Sequence, residues 1–176
     1  MSVIIEEHYL PINGVNRTGE KIEPEYITIH EVSLGTGKTP RKYDYNYYKQ
    51  LLLTPPEGRE FVGYHYLVGD DKILCFIPDN ELCHHSSNRK AGIGIERLVN
   101  ECVDFEKAIN NQAKLTATLM YKYNIPLSHV VTHKFWSGKE CPARLLDGQY
   151  GGWDGFIKRV ETFYLEKNIF DAIINI

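Results

Sequence analysis

Short apolar runs separated by polar turns occupy much of the chain. Five of them predict β-strands, at residues 26–30, 63–68, 72–77, 93–96 and 130–132. The first, YITIH, alternates in polarity and is rich in β-branched residues. The second and third runs are separated by Gly69-Asp70-Asp71, which is typical of a β-hairpin turn. The pattern therefore predicts a sheet that contains at least one antiparallel pair.

Three segments have helical periodicity instead. Residues 43–53 predict a helix that ends before two prolines. Asp104 can cap a long helix whose apolar positions recur every three or four residues as far as Pro126. Residues 153–167 predict a last amphipathic helix. Strands and helices alternate, so we expect a single α/β domain with a mixed central β-sheet flanked by helices.

The two ends of the chain fall outside this pattern. Residues 1–25 contain proline and an Asn-Gly pair, and they predict an irregular arm across the surface. Residues 168–176 are apolar and short, and they predict a tail beyond a domain that spans residues 1–167.

Length and charge exclude several classes of protein. With 176 residues, one domain is expected. The net charge of −3 and the pI of about 6.2 give no basic footprint for nucleic acid. No run approaches the roughly 18 consecutive apolar residues of a membrane span. The N-terminus lacks a basic region followed by a long apolar stretch, so we expect synthesis in the cytoplasm without a signal peptide.

The four cysteines have irregular spacing, which does not indicate a disulfide framework. Cys75, Cys83 and Cys102 are interpreted as small buried apolar residues. Cys141 differs because it lies eight residues after His133 in VVTHKFWSGKECP.

A metal site is one interpretation of these residues. His30 and His133 each follow a predicted strand, and sites in α/β sheets form beyond strand ends. Two imidazoles and one thiolate suit zinc, and three ligands leave a fourth position for water, as in catalytic sites. The same residues also allow a structural zinc, or a Cys141 nucleophile with His133 as its base.

Four ordered segments carry a family resemblance. YITIHEV, GYHYLVGDDKI, GIGIE and VVTHKFWSGKECP occur in the same order as in zinc-dependent N-acetylmuramoyl-L-alanine amidases of the type 2 class. That class includes phage endolysins, bacterial autolysins and peptidoglycan recognition proteins. The resemblance covers roughly residues 5–165, and it implies hydrolysis of the amide between N-acetylmuramic acid and L-alanine, leading to cell-wall lysis.

The resemblance also implies a set of site residues. One Zn²⁺ per chain would have the ligands His30, His133 and Cys141. Glu96, the last residue of GIGIE, matches the catalytic carboxylate. Tyr64 and Lys139 match positions that contact the scissile carbonyl.

Two other residues are expected to contact the substrate. His85 matches a histidine along the substrate groove, and Trp136 either flanks the sugar or peptide or pins its own loop. The chain departs from the family pattern at two places. Glu31 and Val32 follow the first ligand where asparagine or histidine and then threonine are usual, and CHHSS replaces a Trp-His-Ala-Gly segment around His85.

Besides a structural zinc, which needs four ligands where only three are visible, two alternatives to the amidase remain. A peptidoglycan-binding module without activity is one, but inactive relatives lose the cysteine ligand and this chain retains Cys141 and Glu96. A Cys-His peptidase is the other, and proline after Cys141, without a helix N-terminus, argues against it. The resemblance further implies a holin partner if a phage encodes the chain. It also implies that residues 168–176 can begin a linker to a wall-binding module.

Overall fold

The central element is a six-stranded mixed β-sheet. The structure, a computed structural model, describes residues 4–12, 16–32, 37–57 and 63–174. The strands are β1 (Ile4–Glu7), β2 (Ile27–Ile29), β3 (Tyr66–Val68), β4 (Lys72–Cys75), β5 (Ile93–Arg97) and β6 (Val130–Thr132). Their order is β1-β4-β3-β5-β2-β6, and β3 and β4 pair antiparallel while the other neighbours are parallel. The predicted mixed sheet, the five strands and the hairpin are confirmed.

Within the described residues, five α-helices connect and cover the strands. They are α1 (Tyr45–Leu53), α2 (Phe105–Tyr123), α3 (His133–Ser137), α4 (Ala143–Leu146) and α5 (Gly152–Ile174). Asp44 and Asp104 cap α1 and α2 by accepting hydrogen bonds from the backbone N–H groups of Tyr47 and Lys107. Asn124, in the left-handed conformation, ends α2 two residues before Pro126. Both capped helices were predicted from the sequence.

Strand alternation directs two apolar layers to opposite faces of the sheet. Ile27 and Ile29 of β2 belong to the core that packs under α2 and α5. On the other face, Leu67 and Leu74 pack with α1 through Tyr48. Thr28 lies between the two isoleucines and therefore faces away from α2 and α5. His30, two residues further along, faces the same way as Thr28.

The prediction of an irregular arm over residues 1–25 is wrong for residues 4–7. Ile4–Glu7 forms a parallel edge strand with β4, and the pairing continues as His8 and Leu10 donate to the carbonyls of Cys75 and Phe76, at 2.8 and 2.9 Å. The sequence did not indicate this strand because its side chains are mostly exposed and show no buried alternation.

The last helix, predicted over residues 153–167, is longer in the structure, since α5 continues to Ile174. Among the cysteines, Cys102 is exposed, whereas Cys75 and Cys83 are buried as predicted. No helix in the described part of the chain is long and apolar enough to cross a membrane.

An ion pair fastens the N-terminal segment to the body of the domain. Arg17 donates through Nε and Nη2 to the two carboxylate oxygens of Glu81, at 2.7 and 3.0 Å, and through Nη1 to the carbonyl of Leu10. Lys21 adds a third contact to Glu81, at 3.1 Å. The hydrogen bonds from Arg17 are the largest influence on the pKa of Glu81, which is lowered from 4.5 to about 2.

We expect Glu81→Gln to lower the free energy of unfolding at pH 7 by about 2 kcal/mol. We also expect this free energy to fall less steeply in the variant than in the parent protein as the pH is lowered. The folded-state pKa lies below the unfolded one, so the carboxylate stabilises the fold above pH 4.5. This contribution is lost as the pH falls from about 4.5 to about 2. Urea denaturation at pH 7, 5 and 3 measures the difference between the variant and the parent protein.

A matched control is Glu20→Gln, which removes an exposed carboxylate paired with Arg89. We expect it to change stability by less than about 0.5 kcal/mol, because exposed ion pairs contribute little. An acid dependence in Glu81→Gln equal to that of the parent protein would contradict the assigned role of Glu81.

Candidate metal centre

Three parallel strands end at the same edge of the sheet and place polar side chains there. Strand β2 pairs parallel with both β5 and β6. His30 directly follows β2, His133 directly follows β6, and Glu96 is the penultimate residue of β5. Crevices beyond the carboxyl ends of parallel strands are where α/β proteins bind ligands. Topology alone therefore brings these three side chains together.

Cys141 reaches this edge through a tight turn of chain. Helix α3 begins at His133, where the Thr132 hydroxyl accepts a hydrogen bond from the backbone of Phe135. Gly138, with φ of 75°, ends α3 in the left-handed conformation and reverses the chain. The backbone N–H of Lys134 then donates to the carbonyl of Cys141, at 3.2 Å. The segment read from the sequence as a loop thus contains a short helix that folds Cys141 back beside His133.

The three predicted ligands converge. The Nδ1 atoms of His30 and His133 are 3.1 Å apart, and the Cys141 Sγ lies 3.8 Å from His30 Nδ1. All three ligand atoms lie within 4.8 Å of one another. Zinc bonds of about 2.0–2.1 Å to nitrogen and 2.3 Å to sulfur, in a tetrahedron, would separate the ligand atoms by about 3.3–3.6 Å. The arrangement fits one ion shared by the three residues.

A hydrogen-bond chain sets the tautomer of His30. His85 Nε2 lies 2.8 Å from the carbonyl of Gly92, to which it must donate, so His85 Nδ1 is an acceptor. His30 Nε2 lies 3.1 Å from that acceptor and donates to it. The Nδ1 lone pair of His30 is therefore left free on the side of His133 and Cys141. Metal-ligating histidines commonly donate their other ring N–H to a fixed acceptor, and here that acceptor is the His85 ring, which the carbonyl of Gly92 holds in place.

His85 does not occupy the predicted position along a groove. Its side chain is 7% exposed, and both ring nitrogens are engaged within the protein. The ring lies directly on Gly94 of β5, where an added Cβ would be 2.4 Å from the His85 Cγ. His85 is therefore packed behind His30, in a position to orient that ring.

Glu96 lies beside the three ligands. Its Oε1 is 3.8 Å from His30 Nδ1, and its Oε2 is buried with no hydrogen-bond partner among the described residues. Burial is the largest influence on its pKa, which is raised from 4.5 to about 8, and the charge of Lys139 opposes that shift. The Oε1 oxygen is therefore the one close to the candidate ligands, where it can exchange a proton with a reactant bound beside them.

The other predicted site residues are placed less directly. Lys139 lies exposed in the turn before Cys141, where its charge acts on Glu96. Tyr64 is only 5% exposed, and its hydroxyl is 3.4 Å from the carbonyl of Tyr48, so it does not face an open cleft. Trp136 donates through Nε1 to the Thr28 hydroxyl, at 2.9 Å, which pins α3 to β2.

The environment of Cys141 disfavours a nucleophilic thiol. Burial, with a further contribution from Glu96, raises the pKa of Cys141 from 9.0 to about 12, whereas catalytic thiols have a lowered pKa. The prediction that no helix begins near Cys141 is wrong, since the four-residue α4 starts at Ala143. The Cys141 sulfur has its hydrogen-bonding contact, at 3.8 Å, with Nδ1 of His30, whereas the expected base was His133.

Sequence reasoning missed three buried charges next to the site. Glu31, Arg97 and Arg144 are almost fully buried. Glu31 directly follows His30, and Arg97 directly follows Glu96. The sequence did contain a signal for two of them, because Glu31 and Arg97 are charged residues that directly follow site residues at the ends of apolar strands.

Comparisons with known proteins show which sequences and structures this chain resembles. The family described as "N-acetylmuramoyl-L-alanine amidase" matches residues 20–144. The N-acetylmuramoyl-L-alanine amidases CwlH and XlyA of Bacillus subtilis are 35% and 38% identical over 91% and 88% of this chain. The chain spans 62% and 50% of their lengths. The solved catalytic domain of XlyA superposes with a TM-score of 0.78 and 36% identity, over 90% of this chain and 99% of that domain.

Proposed function

Because the chain belongs to the N-acetylmuramoyl-L-alanine amidase family, we propose that it hydrolyses the amide between the lactyl group of N-acetylmuramic acid and L-alanine in peptidoglycan. The observation that carries the proposal is the convergence of His30, His133 and Cys141 beside the unpartnered carboxylate of Glu96. The site of action is then the bacterial cell wall. If a phage encodes the chain, release from the cytoplasm would require a membrane-pore partner, a holin.

Zinc is the cofactor that the ligand set fits. His30 and His133 supply two neutral nitrogens and Cys141 supplies one sulfur, a donor set that suits zinc and leaves one position open. When bound, zinc supplies a Lewis acid and lowers the pKa of water toward neutrality. The His85 contact fixes the His30 ring, so that its Nδ1 is available without rearrangement.

Glu96 is proposed to move the proton. Its carboxylate, whose Oε1 lies 3.8 Å from His30 Nδ1, accepts a proton from the attacking water as the new C–O bond forms at the amide carbon. The same carboxyl group then gives that proton to the alanine nitrogen as the C–N bond breaks. The products are a lactyl carboxylic acid and a free α-amino group on L-alanine. The buried position of Glu96 favours proton acceptance, because burial penalises its charged form.

Lys139 is proposed to stabilise the negative charge on the carbonyl oxygen. Its ammonium group lies in the turn that presents Cys141, and its charge acts on His30, His133 and Glu96 together. A positive charge near a developing oxyanion lowers the barrier to its formation. Tyr64 would need to break its contact with Tyr48 to take part, so we assign it a smaller role.

A product analysis tests this function. Purified peptidoglycan is incubated with the zinc-loaded chain, and new amino termini and new reducing sugar ends are measured. We expect N-terminal alanine to appear without new reducing ends. Reducing ends would indicate a glycosidase, and binding without either product would favour a peptidoglycan-binding module.

A further inference from the structure

Three buried charged residues form a triad that connects the segments carrying the site. Glu31 Oε1 accepts from the Nη1 and the backbone N–H of Arg144, both at 3.0 Å. Glu31 Oε2 accepts from Nη2 of Arg97. The three side chains are at most 3% exposed. Both oxygens of one carboxylate are thus shared between two guanidinium groups.

The triad is an expensive arrangement for a domain of this size. Two cations and one anion leave a net charge of +1 in a buried volume, and moving such charges out of water costs several kcal/mol for each ion. Each guanidinium also leaves its Nε buried without a partner among the described residues. A well-packed apolar cluster would stabilise the fold at least as well, so stability alone does not account for the triad.

Each member of the triad is linked through the chain to one site residue. Glu31 is adjacent to His30, Arg97 is adjacent to Glu96, and Arg144 lies three residues after Cys141. Strand pairing already holds β2 against β5, but the segment of Cys141 belongs to no strand. The Glu31–Arg144 contact is a side-chain link between that segment and the end of β2.

A neighbouring amide reinforces the same connection from α2. Gln112 donates through Nε2 to the carbonyls of His30 and Ile95, at 3.1 and 3.0 Å, and its Oε1 lies 3.3 Å from Arg97 Nη1. Arg144 Nη2 also donates to the carbonyl of Gly37. These hydrogen bonds approach the triad from different directions. Because hydrogen bonds depend on angle as well as distance, they restrict the position of the triad more than apolar packing would.

We propose that Glu31, Arg97 and Arg144 are positioning residues that set the spacing of the metal ligands and of Glu96. The inference rests on the proposed metal site. This chain holds its ligand-bearing segments by an ionic contact at Glu31.

The test separates positioning from stability by restoring the buried charge. Glu31→Gln leaves two guanidinium groups without a counter-charge, and we expect both the melting temperature and the zinc affinity to fall. Adding Arg97→Met returns the net buried charge to +1 but leaves Arg144 without a counter-charge, so the melting temperature of the metal-free double variant should recover part of the loss. Its zinc affinity should stay at least about tenfold weaker than in the parent protein, because supporting contacts of metal ligands typically contribute 10–100-fold.

Zinc affinity is measured by competition with a chromophoric chelator, on the full chain, and cobalt substitution reports the ligand geometry through its absorption spectrum. Asp79→Asn is the matched control, because Asp79 is a buried carboxylate that accepts from Lys122 and Tyr123 without touching the site. We expect this control to lose stability and to keep its zinc affinity within twofold.

Two results would overturn the positioning role. One is a double variant whose zinc affinity and cobalt spectrum match those of the parent protein. The other is an equal loss of affinity in Asp79→Asn. If Glu31→Gln does not fold, the double variant alone supplies the comparison. A parent protein that binds no zinc would instead reject the proposed metal site, and the positioning role with it.

Discussion

Glu96→Gln is expected to reduce hydrolysis of peptidoglycan by about 10³-fold while zinc binding and the fold are retained. Glutamine has nearly the same shape as glutamate but cannot accept and return a proton. The Oε2 of Glu96 has no hydrogen-bond partner among the described residues, so the substitution breaks no contact there. We therefore expect the free energy of unfolding to stay the same or to rise. Release of N-terminal alanine, zinc content and urea denaturation measure the three quantities.

Glu140→Gln is the matched control for this experiment. Glu140 is an exposed carboxylate in the same turn as Lys139, and it pairs with Lys134 at 2.6 Å. Removing it changes the charge near the site by the same amount without touching the reacting atoms, and we expect less than a threefold effect on the rate. More than a tenth of the parent activity in Glu96→Gln would show that another group moves the proton.

The parts of the molecule that depend on local pattern were predictable from the sequence. The strands β2 to β6 are short apolar runs with clear boundaries, and Asp104 marks the start of α2. His30 and His133 could be placed at the site because each follows a strand, and parallel strands end together. The edge strand β1 was missed because its stability comes from pairing with β4, and its own side chains are mostly exposed.

The parts that depend on long-range contacts were not predictable. The carbonyl that orients His85 is seven residues away, but the His30 ring that it supports is 55 residues away. Glu31 meets Arg97 and Arg144 across 66 and 113 residues. Neither contact has a periodic signature. The family resemblance predicted that His85 lines the substrate groove. A matched position identifies a residue, but it does not show which neighbours that residue contacts in this chain.

Removal of one ligand has the other large expected effect. We expect Cys141→Ser to lower hydrolysis by at least about 10³-fold, because losing several kcal/mol of metal assistance slows a reaction by a factor of ten for each 1.36 kcal/mol. A hydroxyl is a poor substitute for a thiolate as a zinc ligand, so the zinc content should fall in parallel. Cys83→Ser removes another buried thiol, one outside the site, and should leave zinc content unchanged.

Chelation separates the metal site from the Cys141 nucleophile, since Cys141→Ser would inactivate either kind of enzyme. A zinc amidase should lose activity when dialysed against a strong chelator and regain it on addition of one equivalent of Zn²⁺. A thiol enzyme should be indifferent to that treatment and should be blocked by alkylation of the metal-free protein at Cys141. The buried sulfur, with its pKa raised to about 12, predicts slow alkylation of the metal-free chain. Full activity after complete removal of zinc would refute the metal assignment, even with all three ligands in place.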